Sequence, residues 1–339
     1  MKKFYLYLAP TIIAACLSGC GALVPVVHSP QSPSPSSATT VPSTPPPAGN
    51  LQFIPAPQVA TTAIGILDGL RPPCSVQLEM YELGNPALLT ALANAHQKGC
   101  AMTIELDGTE NQSLAAAIWL RARAISVKLA HINNQGIDHV KALAVDGGKE
   151  VLVGGVNWGQ YSSYTNDADV LLTSDYALSQ RLSADWQNLD SAFSGGNTSP
   201  SAISGNALES SMVDLINQAQ SHILVITNYL TSYALQDALA SAVQRKVTVD
   251  VLLNPNAYGA ASAASWLTHH GIDVRYAPAS PYLHAKVILT DNSGIIGSAN
   301  LSYDGLNVNR ELDTIIPTPL LPAAQQWGEA LWSSGKPVA

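Results

Sequence analysis

Beyond residue 74 the chain reads as short apolar runs separated by amphipathic stretches. "SVQLEMY" (75–81) and "AMTIEL" (101–106) have the length and composition of strands. Between them, apolar positions 88, 92 and 95 share one helical face. Asn85 is placed to cap that helix, Pro86 to occupy its first turn and Gly99 to end it. The same pattern recurs 147 residues later. Leu92 falls on Leu239, Ala95 on Ala242, Trp119-Leu120 on Trp266-Leu267, and "ISVKLA" (125–130) on "IDVRYA" (272–277). Each copy predicts strand, helix, strand, helix, strand. Such alternation gives α/β sandwich halves with mixed, largely parallel sheets. The Gly/Ser-rich "FSGGNTSPSAISGN" (193–206) separates the copies, so the halves are expected over 57–200 and 201–339, each ending in a Trp-containing helix.

The N-terminus has another character. Two lysines precede a short apolar run ending in "LSGC", which predicts a signal peptide over 1–19. The ending resembles a bacterial lipobox, which implies cleavage before Cys20 and lipidation of that residue. The protein would then be exported and lipid-anchored in a bacterial cell envelope, and Gly21 is compatible with the outer membrane. Residues 20–56 are expected to be the lipidated cysteine and a Pro/Ser-rich linker.

With 47% hydrophobic and 12% charged residues, the chain can bury a large core. Its net charge of −8 falls to −10 once Lys2 and Lys3 leave with the leader. That balance argues against a nucleic-acid partner, because phosphate backbones are held by Lys and Arg. Cys74 and Cys100 precede two strands that would be parallel neighbours. In an exported chain they are expected to form a disulfide.

The chemistry is also doubled. "HVKALAVDGGKEVLVGGVN" (139–157) aligns with "HAKVILTDNSGIIGSAN" (284–300): His139, Lys141, Asp146 and Asn157 match His284, Lys286, Asp291 and Asn300. Further on, "TNDADV" (165–170) matches "NRELDT" (309–314), setting Asp167 opposite Glu311. Each motif predicts a hairpin with His and Lys on one strand face, a turn at Asp146 or Asp291 built for positive φ, and a returning strand that brings Asn alongside. Gly154, Gly155 and Gly297 are expected to admit a ligand close to the backbone. One such motif alone would read as a solvated edge; two in register do not.

The paired motifs resemble the phospholipase D superfamily, with its doubled His-x-Lys-x4-Asp pattern, over residues 57–335. The resemblance implies two halves related by a pseudo-two-fold axis, with one active site at their interface and no metal or other cofactor. One neutral imidazole would attack phosphorus and a protonated one would supply the leaving group's proton. Lys141, Lys286, Asn157 and Asn300 would hold the non-bridging oxygens. Asp167 and Glu311 are the candidates to orient the histidines. The family's usage implies His139 as nucleophile and His284 as general acid. Asp146 and Asp291 read as turn residues, and Gly155 opposite Ser298 as the loss of one hydroxyl donor.

A metal-independent phosphodiesterase that hydrolyses or transfers phospholipid head groups is therefore expected, monomeric and without nucleic acid. An exported nuclease and a non-catalytic binding module are the alternatives. Tyr81, Trp158, Tyr161, Tyr164, Tyr229, Ser302 and Tyr303 are the expected pocket residues.

Overall fold

A computed structural model describes residues 51–191 and 202–338. The leader, Cys20, most of the linker and part of the connection between the halves lie outside the described residues. The first half contains β1 (Gln52–Pro55), α1 (Ala56–Gly69), β2 (Ser75–Met80), α2 (Pro86–Gln97), β3 (Ala101–Asp107), α3 (Asn111–Arg121), β4 (Val127–Ala130), β5 (Lys141–Val145), β6 (Glu150–Gly154), β7 (Thr165–Asn166), β8 (Ala168–Thr173) and α4 (Tyr176–Gln187). The second contains α5 (Ala207–Gln218), β9 (His222–Thr227), α6 (Tyr233–Gln244), β10 (Thr248–Leu253), α7 (Ala260–His269), β11 (Asp273–Tyr276), β12 (Tyr282–Leu283), β13 (Lys286–Thr290), β14 (Gly294–Gly297), α8 (Tyr303–Asn307), β15 (Asp313–Ile315), α9 (Leu321–Ser334) and β16 (Lys336–Pro337).

Two seven-stranded sheets result, ordered β1-β8-β6-β5-β2-β3-β4 and β15-β14-β13-β9-β10-β11-β16. Six strands correspond in order, so the repeat seen along the chain is a repeat in space. The sheets are mixed. The helix-linked strands β2-β3-β4 and β9-β10-β11 are parallel, whereas the hairpins and the outer edges are antiparallel. The seventh strands break the symmetry: β1 flanks β8, and β16 flanks β11.

β1 corrects the expected linker, which was carried to residue 56. Its four residues pair with β8, and Ile54 is buried. A strand so short leaves no periodic trace, and its partner lies far along the chain. The predicted helix boundaries hold: Oδ1 of Asn85 accepts from Ala87 N–H at 2.9 Å and Leu88 N–H at 3.4 Å, and Gly99 has φ +97°. Cys74 is disulfide-bonded to Cys100 at the starts of β2 and β3. Closing that loop of 26 residues in sequence stabilises the fold by about 3–4 kcal/mol on the chain-entropy account.

Both faces of each sheet are buried. On β5, Leu143 and Val145 face the first half's own helices, while Ala142 and Ala144 join a core shared with the other half. On β13, Ile288 faces the second half's own helices, and Val287 and Leu289 enter the shared layer. Val151, Val153, Ala168, Val170, Leu172, Leu224, Ile226, Leu252 and Ile296 add to it from the sheets, with α4 and α9 packed at its sides. At about 2 kcal/mol for each such side chain returned to water, separating the halves would outweigh a domain's net stability of about 5–15 kcal/mol. They fold as one body. No helix among the described residues is long and apolar enough to cross a membrane.

Candidate active site

The two hairpins meet at the seam between the sheets. β5 begins at Lys141 and β13 at Lys286, so His139 and His284 precede their strands rather than lie on them. Each histidine backbone is held by the other half. His139 N–H donates to the Arg310 carbonyl at 2.9 Å, and His284 N–H to the Asn166 carbonyl at 3.0 Å. The next residue along the holding strand supplies the carboxylate. Glu311 places both oxygens 3.0 Å from Nδ1 of His139, and Asp167 Oδ2 lies 2.7 Å from Nδ1 of His284. The carboxylate partners are thus exchanged between halves, and in both rings Nε2 is the nitrogen left for chemistry.

Both lysines are buried, and each Nζ donates back to the carbonyl of the histidine two residues earlier. Lys286 Nζ also lies 3.1 Å from Nε2 of His284 and 3.8 Å from Asp167 Oδ2. Burial pulls Lys141 down to about 7 and lowers Lys286 as well. Burial and the neighbouring lysines push His284 down to about 4 and His139 well below the usual imidazole range. Both rings are therefore neutral at pH 7. Their carboxylates differ. Burial lifts Glu311 to about 8 despite Lys141 and the Ser298 hydroxyl bond. Burial alone would raise Asp167 too, but Lys286 and His284 outweigh it and hold the carboxyl below its usual range.

The glycines do something other than expected. A Cβ at Gly155 would stand 2.4 Å from Asp167 Oδ1, at Gly154 2.3 Å from Asp169 Oδ1, and at Gly297 only 2.0 Å from Asp313 Oδ1. Their missing side chains make room for buried carboxyls, not for a ligand. Oδ1 of Asp169 and of Asp313 accept from Val156 N–H and Ala299 N–H, both at 3.0 Å, and so fix the strand ends that lead to the asparagines. Ser298 is not a phosphate donor either: its hydroxyl donates to Glu311 Oε2 at 2.5 Å and accepts from Leu312 N–H at 2.9 Å. Asn157 donates to Glu82 at 2.9 Å, and the Oδ1 atoms of Asn157 and Asn300 are buried without a hydrogen-bond partner.

Asp146 and Asp291 lie at the far ends of their hairpins, as their turn reading requires. Asp146 accepts from Ser75 N–H at 2.9 Å; Asp291 accepts from the backbone of Gln220 and Ser221 at 3.1 Å and of His222 at 3.3 Å. They pin the starts of β2 and β9. Asp146, Gly147 and Gly148 have positive φ, but none of residues 291–294 does. There the turn closes instead through Thr290 N–H to the Ser293 carbonyl at 2.8 Å. Among the expected pocket residues, Trp158 is core and Tyr81 packs edge-on against the His139 ring, centroids 4.9 Å apart. Tyr161, Tyr164 and Tyr303 stand exposed at the rim.

One group was not anticipated. Arg310 is fully buried and crosses from the second half into the first. Its guanidinium lies 2.5 Å from Glu105 Oε1, 3.5 Å from Glu79 and 3.9 Å from Asp138, and its Nε donates to the Ser191 carbonyl at 2.8 Å. Its backbone brackets Asp138, donating to Ile137 and accepting from His139, each at 2.9 Å. The carboxyl oxygens of Glu79, Glu105 and Asp138 lie close enough to share a cation, and the guanidinium is the cation among them. Burial raises all three acids, Glu105 to about 8 and Asp138 to about 6. In sequence, Glu79 and Glu105 look like the polar positions of half-exposed strands.

A family model described as "Cardiolipin synthase, PLD-like domain" matches residues 74–189 and 212–333. A curated relative, a mitochondrial cardiolipin hydrolase from Xenopus tropicalis, is 29% identical over 128 residues. The match covers 36% of this chain and 60% of that one, so the chain spans about three fifths of the relative's length. Among solved structures, phosphatidylserine synthase from Haemophilus influenzae Rd KW20 superposes with a TM-score of 0.65 at 14% identity, covering 86% of this chain and 88% of its own. Polyphosphate kinase from Porphyromonas gingivalis gives 0.61 at 14% identity, covering 83% of this chain and 46% of its own. Both likenesses show the fold.

Proposed function

The chain belongs to the phospholipase D superfamily, in the family of PLD-like domains named for cardiolipin synthase, and on that footing we propose that it cleaves phospholipid head groups through a phosphohistidine intermediate. The observation that carries this reading is the pair of His–carboxylate contacts exchanged between halves, with two buried lysines beside them. Nε2 of His139 attacks phosphorus, and the bond from phosphorus to the head-group oxygen breaks. His284, neutral in the free protein, takes up a proton at Nε2 when the phosphodiester anion binds, with Nδ1–H held by Asp167, and gives that proton to the leaving oxygen. It then takes a proton from water, whose oxygen displaces His139 and leaves phosphatidic acid. An alcohol in place of water gives head-group exchange. Lys141 and Lys286 balance the charge on the non-bridging oxygens. The asymmetry of the carboxylates supports this assignment of roles. Asp167, held ionised, stabilises an imidazolium at His284, whereas burial and the two lysines keep His139 neutral, and a proton on its Nδ1, facing Glu311, leaves Nε2 free to attack.

The preference for lipid over nucleic acid rests on the loops at the site. Residues 81–85, 108–110, 131–138, 155–166, 228–232, 254–259, 277–283 and 298–309 contain no Lys or Arg. Beyond Lys141 and Lys286 in the site itself, a polyanion running past the two histidines would find no Lys or Arg on these loops. The names of the cardiolipin relative and the phosphatidylserine synthase point the same way. The exported, lipid-anchored form expected from Cys20 belongs to this proposal, as does a monomer without metal. Purified protein is offered phosphatidylcholine, phosphatidylglycerol, cardiolipin and single-stranded DNA in EDTA. Phosphatidic acid from a lipid is the expected product. Cleaved DNA with intact lipids would replace the proposal with a nuclease, and turnover of nothing at any pH with a binding module.

A further inference from the structure

We propose that the loops around the histidines dock on an uncharged lipid–water interface, with Tyr161, Tyr164, Tyr233, Tyr258 and Tyr303 entering the head-group layer. This deepens the phospholipid reading above and rests on it. Among the described residues, the exposed large apolar side chains are Leu51, Ile118 and seven tyrosines. Six of those tyrosines stand at one end of the molecule, where the loops carrying Asn157 and Asn300 emerge; Tyr176 alone lies at the other. Tyr258 is 87% exposed, Tyr233 81% and Tyr164 73%. They come from both halves, so the rim is a joint surface. β7 pairs with β12 in register Thr165↔Tyr282, so Tyr164, one residue before β7, and Tyr282 belong to one ribbon that crosses the seam. Tyr233 and Tyr258 line one groove together with Trp266.

Tyrosine suits a boundary where one side is apolar and the other wet, because its ring buries while its hydroxyl stays hydrated. The charge on these loops selects the kind of surface. Apart from the buried Asp138 their acids are Glu82, Glu110 and Asp304, and they hold no Lys or Arg, so an anionic membrane would repel them and a zwitterionic one would not. Single-stranded nucleic acid also stacks on aromatic rings, but along a positively charged groove, which these loops do not form.

The test uses the full chain with Cys20→Ser, which removes any acyl anchor, and His139→Ala, which separates binding from turnover. Sedimentation with phosphatidylcholine vesicles is expected to show binding that changes less than about twofold between low and high salt. Tyr161→Ser, Tyr164→Ser, Tyr258→Ser and Tyr303→Ser together are expected to weaken it at least about tenfold. In a chain with both histidines, Tyr233→Ser with Tyr258→Ser, neither of them among the expected pocket residues, should weaken vesicle binding yet leave hydrolysis of soluble bis(4-nitrophenyl) phosphate within about twofold. Unchanged vesicle binding in the four-tyrosine variant overturns the proposal. So does binding that salt abolishes, a parallel loss of soluble turnover, or tighter binding to single-stranded DNA than to vesicles. If the parent hydrolyses no phosphodiester, the catalytic reading falls, while the vesicle measurement still decides the surface.

Discussion

The two histidines occupy equivalent places in equivalent hairpins, yet their surroundings differ by small exchanges of volume. On one side, a glycine at 155 leaves room for the short Asp167, which stays ionised behind His284. On the other, Ser298 donates its hydroxyl to the longer Glu311, which burial lifts to about 8 behind the more enclosed His139. On the proposed mechanism, the difference teaches how a doubled site can divide labour by exchanging a few side chains around its two rings. In that division the imidazole backed by a charge carries the proton, and the more deeply buried one bonds phosphorus.

The sharpest way to break that comparison is to remove each ring in turn. His139→Ala and His284→Ala are each expected to lower lipid turnover by about 10⁴-fold or more. With a 4-nitrophenyl phosphodiester, whose leaving group needs no proton, His284→Ala should still release a burst of nitrophenol and accumulate enzyme phosphorylated at His139, read by intact mass. A burst in His139→Ala instead would reverse the roles. Next come the carboxylates: Asp167→Asn should cost about 10²–10³-fold in kcat at pH 7, whereas Glu311→Gln, replacing an acid already mostly protonated, should cost less than about tenfold. Equal losses would remove the asymmetry.

Arg310→Met tests the frame behind both rings. It leaves three buried carboxyls without their cation and should lower unfolding free energy by about 3–5 kcal/mol in urea titrations. The deficit should widen as pH rises above about 6, where Asp138 begins to ionise in the parent, and further above about 8, where Glu105 does. Acids whose folded pKa is raised contribute stability while they are protonated and lose it as they ionise, and Glu105 titrates near 8. Gly155→Ser copies the other half's residue but drives a Cβ against Asp167, so a loss of about 1–3 kcal/mol is expected; Ser298→Gly should cost about 1 kcal/mol. The smallest effect is a fraction of a proton. His284, at about 4 in the free protein, is neutral at pH 7. A bound phosphate anion raises it, so inorganic phosphate should bind with proton uptake, seen by calorimetry in buffers of different ionisation enthalpy. Proton release would contradict the charge distribution described here.

Most of this frame was legible along the chain, because duplication writes each signal twice. The 147-residue offset, the paired hairpins, the disulfide between strand starts and the Asp167/Glu311 register all appear in the folded protein. What stayed hidden is whatever depends on the partner across the seam. Glu79 and Glu105 alternate with Leu78, Met80, Ile104 and Leu106 in a rhythm that normally means one wet face, and nothing local says that Arg310 will cover it. The glycines were seen, but a missing Cβ does not declare whether a ligand or a carboxyl will take the space. β1 was too short, and too distant from its partner strand, to register.

The exchange of carboxylates also bears on inheritance. A change at Asp167 is felt by a histidine encoded more than a hundred codons downstream, and one at Glu311 by a histidine as far upstream. A change at either carboxylate that breaks its contact can be answered only in the other half, where its histidine lies. A chain built this way can diverge widely on its outer helices and loops while its seam must change, if at all, in matched steps.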